Sequence, residues 1–491
     1  MKIPIPLLAL FGLTAFASGP TQAPENFQAF YGRNTDYPEA LTNADDITLQ
    51  WTRGDPAITG WKLVKRAWGD AKGQTITLPA KTTSYLDTAA LAQVPIVSYQ
   101  LAALRDSKTS DYARATGWRL QRLYPDQPNW SWPETEVWIA NAPGRSPALT
   151  RHGESRLALK DLGAWKQLSE QIDGIVLFYS TIQSASLEEL REFARALAPT
   201  PTRGRIKIAI ELGVFHSSVH LEDPAGQQRA GLDSFTAQFR TLRRFTDPVE
   251  QGGAGGVIDV LCLDGPIHRA KFHQGKRTGL STADAAEQAV QWMEQFRRAY
   301  PQVQFQLIAN FSSWSYAGLP ARNTRAHAEG PRGFGNYEDE LATLPSLAAR
   351  RGVPLTGVIT DFAYDAFNNE SSTDQPEVVR GLDYRRRLLA LRNDVVALPL
   401  GPGGAPLRFG MLVNSNRGTS TSNYAARVEL LNYLEELHTL GLTPSIVMLE
   451  TWNDYPDRWL PETRKDTMTH LAWRVFNRLR HGREITTDNA P

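Results

Sequence analysis

The rhythm of apolar and polar positions changes once along this chain. Between residues 24 and 120 apolar residues recur at every second position in short runs. Ile47, Leu49 and Trp51 alternate with Asp46, Thr48 and Gln50, and similar runs cover residues 60–66, 75–78 and 97–104. Turn residues such as Gly54-Asp55-Pro56 separate them. Period 2 in short, turn-bounded runs predicts half-buried strands. Their regular spacing predicts an all-β sandwich over residues 24–120. Residues 121–133, rich in proline and aromatics with Trp130 and Trp132, read as a short, stiff linker.

From residue 134 the texture is different. Short, nearly continuous apolar runs at 137–140, 174–178, 206–210, 257–263, 303–309, 355–359, 409–413 and 445–449 alternate with helix-periodic stretches. Continuous apolar strands suit a parallel sheet buried on both faces. Ser186-Leu187-Glu188-Glu189 is a capping box. Residues 235–242 carry apolar positions at i, i+4 and i+7, and residues 285–300, 378–391, 424–440 and 466–480 are further helical stretches. Eight strand–helix pairs over residues 134–485 predict an α/β fold closed as a (β/α)8 TIM-type barrel. An open, doubly wound sheet is the alternative. No G-x-G-x-x-G opens the first helix, and Gly252-Gly253-Ala254-Gly255-Gly256 precedes a strand, so it is a turn and not a phosphate cradle.

The first residues change the compartment expected. Met1-Lys2, an apolar stretch over 3–16 and Ala15-Phe16-Ala17 form the pattern of a signal peptide over residues 1–17. That predicts a secreted protein, extracellular, periplasmic or at the cell surface. No later apolar run reaches the ~18 residues a membrane span needs. The chain has 491 residues, with 53 Lys+Arg against 52 Asp+Glu, so no basic excess points to nucleic acid. Cys262 is the sole cysteine. An intramolecular disulfide and a multi-cysteine metal site are excluded, and core size must hold the fold. The 13 Trp, 15 Tyr and 19 Phe suit a core, and equally the apolar faces of sugar rings.

Barrel chemistry lies where strands leave the C-terminal face. The exits read Asn141, Tyr179, Glu211, Asp264, Asn310 with Trp314, Asp361 with Tyr364 and Asp365, Asn414 with Asn416, and the stretch from Glu450 to Asp457. Each alone is equally well a helix cap or turn residue. Eight polar exits together point to a site that handles hydroxyls: carboxylates as acids, bases or acceptors, amides as positioning groups, aromatics as stacking surfaces. His216-x-x-x-His220 lacks the neighbouring Glu of a zinc helix, and no G-x-S-x-G supplies a nucleophilic serine. No metal and no cofactor is expected.

Two resemblances sharpen these expectations. Trp51, the run from Tyr85 to Leu91, and Tyr99-Gln100-Leu101-Ala102-Ala103 resemble fibronectin type III domains. These are core positions and imply fold, not ligand. The last strand exit, Thr451-Trp452-Asn453-Asp454-Tyr455-Pro456-Asp457, resembles glycoside hydrolase families 71 and 99, with Glu462 at the spacing of their later glutamate. The resemblance implies a hydrolase acting on a polysaccharide or oligosaccharide. Asp454 would serve on the base side and Asp457 as general acid, with Glu450 beside them. Glu211, Asp264, Asn310, Trp314, Asp361, Tyr364, Asn414, Trp452, Asn453, Trp459 and Glu462 would bind substrate. Two departures stand out: Asp457 occupies a position usually held by Glu, and Arg458 one often held by Gly. A catalytically silent carbohydrate-binding protein on the same fold is the alternative. A deacetylase or esterase would need a metal triad or an elbow serine, and neither is present.

Overall fold

The computed structural model describes residues 23–31, 46–67, 72–90, 92, 96–105, 108–118, 130–141, 161–201, 203–273, 276–318, 334–364, 384–415, 423–451, 456, 458–464 and 467–482. The expected signal peptide lies outside them. Among them no helix is long and apolar enough to cross a membrane. The chain separates into two compact units, Met1–Arg119 and Leu120–Pro491.

The N-terminal unit holds two antiparallel sheets. Glu25–Tyr31, Ile47–Thr52 and Ser84–Asp87 form one; Gly60–Ala67, Gln74–Pro79, Ile96–Arg105, Lys108–Thr109 and Ala113–Trp118 form the other. Ile47, Leu49 and Trp51 are buried, as their alternation predicts. Trp51 meets Trp61 of the opposite sheet edge-on at 5.8 Å, which sets the two sheets face to face. Asp87 is buried at this core's edge, where the Tyr99 hydroxyl (2.6 Å) and the Lys65 ammonium (2.8 Å) compensate its charge.

The second unit is a closed barrel of eight parallel strands. They are β1 (Glu136–Asn141), β2 (Gly174–Phe178), β3 (Lys207–Leu212), β4 (Val260–Asp264), β5 (Gln304–Asn310), β6 (Leu355–Asp361), β7 (Arg408–Val413) and β8 (Ile446–Leu449). Each pairs with the next, and β8 pairs with β1 to close the ring. Alternate residues of all eight strands, among them Trp138, Val176, Ala209, Cys262, Ile308, Ile359, Leu412 and Met448, gather in one apolar cluster. Only the barrel's interior lets residues from every strand meet. The strand ends differ from expectation in two places. β3 runs on to Leu212 and so carries Glu211 within the sheet, and β4 begins only at Val260, Val257 being exposed.

Seven helices of ten residues or more surround the barrel among the described residues. They are α1 (Leu187–Ala196), α2 (Pro224–Thr246), α3 (Thr282–Ala299), α4 (Tyr337–Arg350), α5 (Tyr384–Ala397), α6 (Asn423–Thr439) and α7 (Met468–His481). Ser186 and Glu189 form the capping box read from the sequence, and Ser281 with Asp284 forms a second one at α3. Of the helix expected over 378–391, the first residues lie outside the described set and the remainder extends to Ala397. Trp130 and Trp132, at the end of the proline-rich join, lie on α6 and α7. Trp130 stacks on His438 at 4.6 Å, and the Trp132 backbone N–H donates to the Leu479 carbonyl at 2.6 Å.

Candidate active site

Side chains on a strand alternate between its two faces, so the residue two beyond an interior residue is interior as well. Counting two onward from Ala209, Cys262, Ile308, Ile359, Leu412 and Met448 in the apolar cluster reaches Glu211, Asp264, Asn310, Asp361, Asn414 and Glu450. The last interior layer, at the C-terminal mouth, is therefore a ring of carboxylates and amides. Below it the lumen is apolar. Glu211, Asn414 and Glu450 are buried, while Asp264, Asn310 and Asp361 are half-buried.

Glu211 is the chemically distinctive member. It pairs in register with Cys262 on β4, which places Asp264 one interior position further toward the mouth. Its Oε2 is buried and has no hydrogen-bond partner among the described residues. Burial, and then the negative charges of Asp264 and Asp361, push its carboxyl well above the usual carboxylate range; the Arg269 guanidinium opposes them. A neutral, protonated carboxyl results. The same two effects act below it: burial, with the charges of Glu211 and Glu450, pushes the Cys262 thiol up, which leaves that sulfur an inert core group.

The neighbouring carboxylates have polar partners. Gly265 turns the chain with a left-handed φ of 51° and opens the short helix Pro266–Lys271. That turn brings Arg269 back onto Asp264, where it ion-pairs with the carboxylate and donates from Nε to the Asp264 carbonyl at 2.9 Å. Asp361 accepts a hydrogen bond from the Asn414 amide at 3.3 Å. Asn310, opposite Asp361 in register, accepts from Ser312 Oγ (3.0 Å) and Ser313 Oγ (3.1 Å). Two kinds of carboxyl thus share one mouth. One is dry and protonated, and the others sit in polar company.

Several expected substrate contacts have other work. Trp314 is 3% exposed and packs edge-on against Phe334 and Tyr337, so its ring belongs to the core under the β5 exit. Tyr364 is fully buried, with its hydroxyl on Glu436 (3.0 Å) and its ring against Tyr433. Trp459 is 1% exposed. Glu462 clamps a helix start: its two oxygens accept the backbone N–H groups of Gln167 and Leu168, both at 2.9 Å. That geometry satisfies orphan donors at a helix N-terminus and presents no free acceptor toward a ligand. All four are polar or aromatic residues near an exit, as a sugar site requires, but tertiary packing turns the side chains elsewhere. Trp452, Asn453, Asp454 and Asp457 lie outside the described residues, as do Asp365 and Asn416.

Arg269 is the participant that sequence reasoning missed. Its one available signal was a lone cation five residues after a strand-exit aspartate. His216 and His220 do not converge: Nδ1 of the first contacts Ser218 Oγ (2.8 Å) and Nδ1 of the second contacts Glu222 (3.0 Å). Among the described residues no group of three or more His, Cys, Asp or Glu is arranged to hold a metal ion.

No protein family's sequence profile matches this chain, and no curated protein matches it. Solved structures similar to it include an Fn3-like protein from Clostridium thermocellum, at 15% identity over 20% of this chain and 90% of that one, with a TM-score of 0.16. A D-psicose 3-epimerase crystallised with D-fructose is 10% identical over 64% of this chain and 84% of its own, with a TM-score of 0.33. Bacteroides uniformis beta-glucuronidase 2, covalently bound to cyclophellitol-6-carboxylate aziridine, is 9% identical over 88% of this chain, with a TM-score of 0.34; the chain spans 48% of its length. Likenesses at this level carry no chemical argument, and the strand ends must supply it.

Proposed function

We propose that the barrel is a glycoside hydrolase, with Glu211 as general acid and Asp361 as the carboxylate of opposite role. The observation that carries this reading is the buried Glu211 carboxyl, one oxygen without a partner, next to two further carboxylates at the barrel mouth. Glycosidic cleavage needs one carboxyl that keeps its proton and another that is ionised. Glu211 gives its proton to the leaving glycosidic oxygen as the bond to the anomeric carbon breaks. Asp361, oriented by the Asn414 amide, attacks that carbon or takes a proton from the attacking water. The negative charge of Asp264, positioned by its ion pair with Arg269, favours the protonated state of Glu211 before the reaction. It also favours reprotonation afterwards.

The substrate we propose is a polysaccharide or oligosaccharide met outside the cytoplasm, on the strength of the signal-peptide pattern in residues 1–17. Asp454 and Asp457, on the segment leaving β8, are proposed as further carboxylates of the same mouth through the resemblance of their motif. Reducing-sugar release across α- and β-linked glucans, mannans, galactans and bacterial exopolysaccharides tests all of this. Glu211→Gln and Asp361→Asn should each lower release by roughly 100- to 10,000-fold while the fold persists. Full activity in both, with loss in Asp454→Asn and Asp457→Asn, would move the chemistry to the β8 segment. Binding of a polysaccharide without release of any sugar would favour a silent carbohydrate-binding barrel.

A further inference from the structure

Helix α2 turns Ser234, Gln238, Leu242 and Phe245 inward, and all four are buried. Its outer side would ordinarily be polar. Instead Leu232 is 40% exposed, and Phe235 and Phe239 are half-exposed and stacked on each other at 5.0 Å. Phe296 of α3 meets Phe235 edge-on at 4.8 Å and fixes the pair over the seam between the two helices. Leu232, Phe235, Phe239 and Arg243 fall at i, i+3, i+7 and i+11, a stripe about 16 Å long on a helix rising 1.5 Å per residue. A groove of ≈ 400 Å³ follows this stripe, lined by Phe235, Phe239, Arg240, Arg243, Arg244 and Asp247 among others.

The charges in the groove are not equivalent. Arg244 is built into the fold, donating to the carbonyls of Ile182, Gln183 and Ala185. Arg243 ion-pairs with Asp247 at 2.8 Å. Arg240 is exposed and makes no hydrogen bond or ion pair among the described residues. The lining thus carries three guanidiniums against one carboxylate, one of them uncommitted beside an apolar platform.

We propose that this groove is a secondary binding site for an acidic polysaccharide. The apolar side of a sugar ring rests on Phe235 and Phe239, and its carboxylate is taken by the planar fork of Arg240. Charge complementarity selects this class: a neutral glycan would leave Arg240 unused, and a cationic one would face a net positive lining. The site lies on the barrel's outer helical layer and stands whether or not the mouth hydrolyses anything.

Affinity electrophoresis of the full chain in gels containing polygalacturonate, with dextran as the neutral control, tests it. Retardation by polygalacturonate alone is expected, weakening with added salt. Arg240→Gln and Phe239→Ala should each weaken it by roughly fivefold or more, and Glu211→Gln should leave it unchanged. Arg240 holds no partner whose loss would disturb the fold, and equal thermal midpoints would confirm that its variant is folded. Retardation that survives Arg240→Gln, or is equal in dextran, or disappears in Glu211→Gln, would overturn the proposal. So would concentration-dependent self-association that Arg240→Gln abolishes, since a second copy of the chain would then be the occupant.

Discussion

Glu340 shows how far one side chain's behaviour departs from its residue type. It lies in the first turn of α4 with both carboxylate oxygens buried and without hydrogen-bond partners. Burial pushes its pKa up to about 8, although Lys271 draws it down. The native state therefore holds a proton that the unfolded chain releases above its ordinary value near 4.5. Such a group does not weaken the fold in acid and weakens it as pH rises, by about 1.4 kcal/mol per pH unit until its native pKa is passed. Glu340→Gln should flatten the pH dependence of stability between about pH 5 and 8, measured from urea midpoints. An unchanged slope would mean that the carboxyl is ionised in the fold. Glu211 obeys the same sign, so some of the residual slope belongs to it. Polarity at these positions is plain in the sequence. Protonation state is not, because desolvation and neighbouring charges exist only once distant strands have met.

Secondary-structure elements were more legible than their contacts. The apolar runs and capping signals located all eight barrel strands and most of the helices, since period and cap chemistry are local properties. How closely two helices approach is a different matter. A Cβ added to Gly231 on α2 would stand 2.2 Å from the Gln288 carbonyl oxygen on α3. The Gly231 N–H also donates to the Gln288 side-chain oxygen at 3.1 Å. In an isolated helix, Gly→Ala should help by ~1 kcal/mol; here it must push the two helix backbones away from each other. Gly231→Ala should therefore destabilise by about 1–3 kcal/mol in denaturant unfolding. A gain in stability would show that α2 and α3 have room between them. The aromatic residues teach the same lesson. Trp314, Tyr364 and Trp459 follow strands just as sugar-stacking residues would, and only their neighbours reveal them as packing.

For the barrel as a whole, closure depends on the β8–β1 seam, and residues just ahead of β1 brace it from outside. Trp130 is 5% exposed, donates from Nε1 to Glu435 at 2.6 Å, stacks on His438 and lies under the Arg478 guanidinium at 4.8 Å. It joins the start of the barrel chain to α6 and α7, the last helices made. Trp130→Ala should cost about 3–5 kcal/mol, the range for truncating a large buried aromatic, seen as a lower unfolding midpoint. A loss below about 1 kcal/mol would show the brace to be dispensable to the barrel.

The linear chain alone determined the alternation that makes half-buried strands, the continuous apolar runs of a parallel barrel, and polar residues at every barrel exit. These depend on periodicity and residue type, which survive without any partner. Tertiary structure alone decided which exit residues face one lumen, that Glu211 is dry and keeps its proton, that Arg269 folds back on Asp264, and that Glu462 caps a helix start. Those outcomes arise from burial and from charges brought together across hundreds of residues, and a one-residue shift in strand register would reverse them. Chemistry at a barrel mouth is written in residue types, but it is set by which of them lose their water.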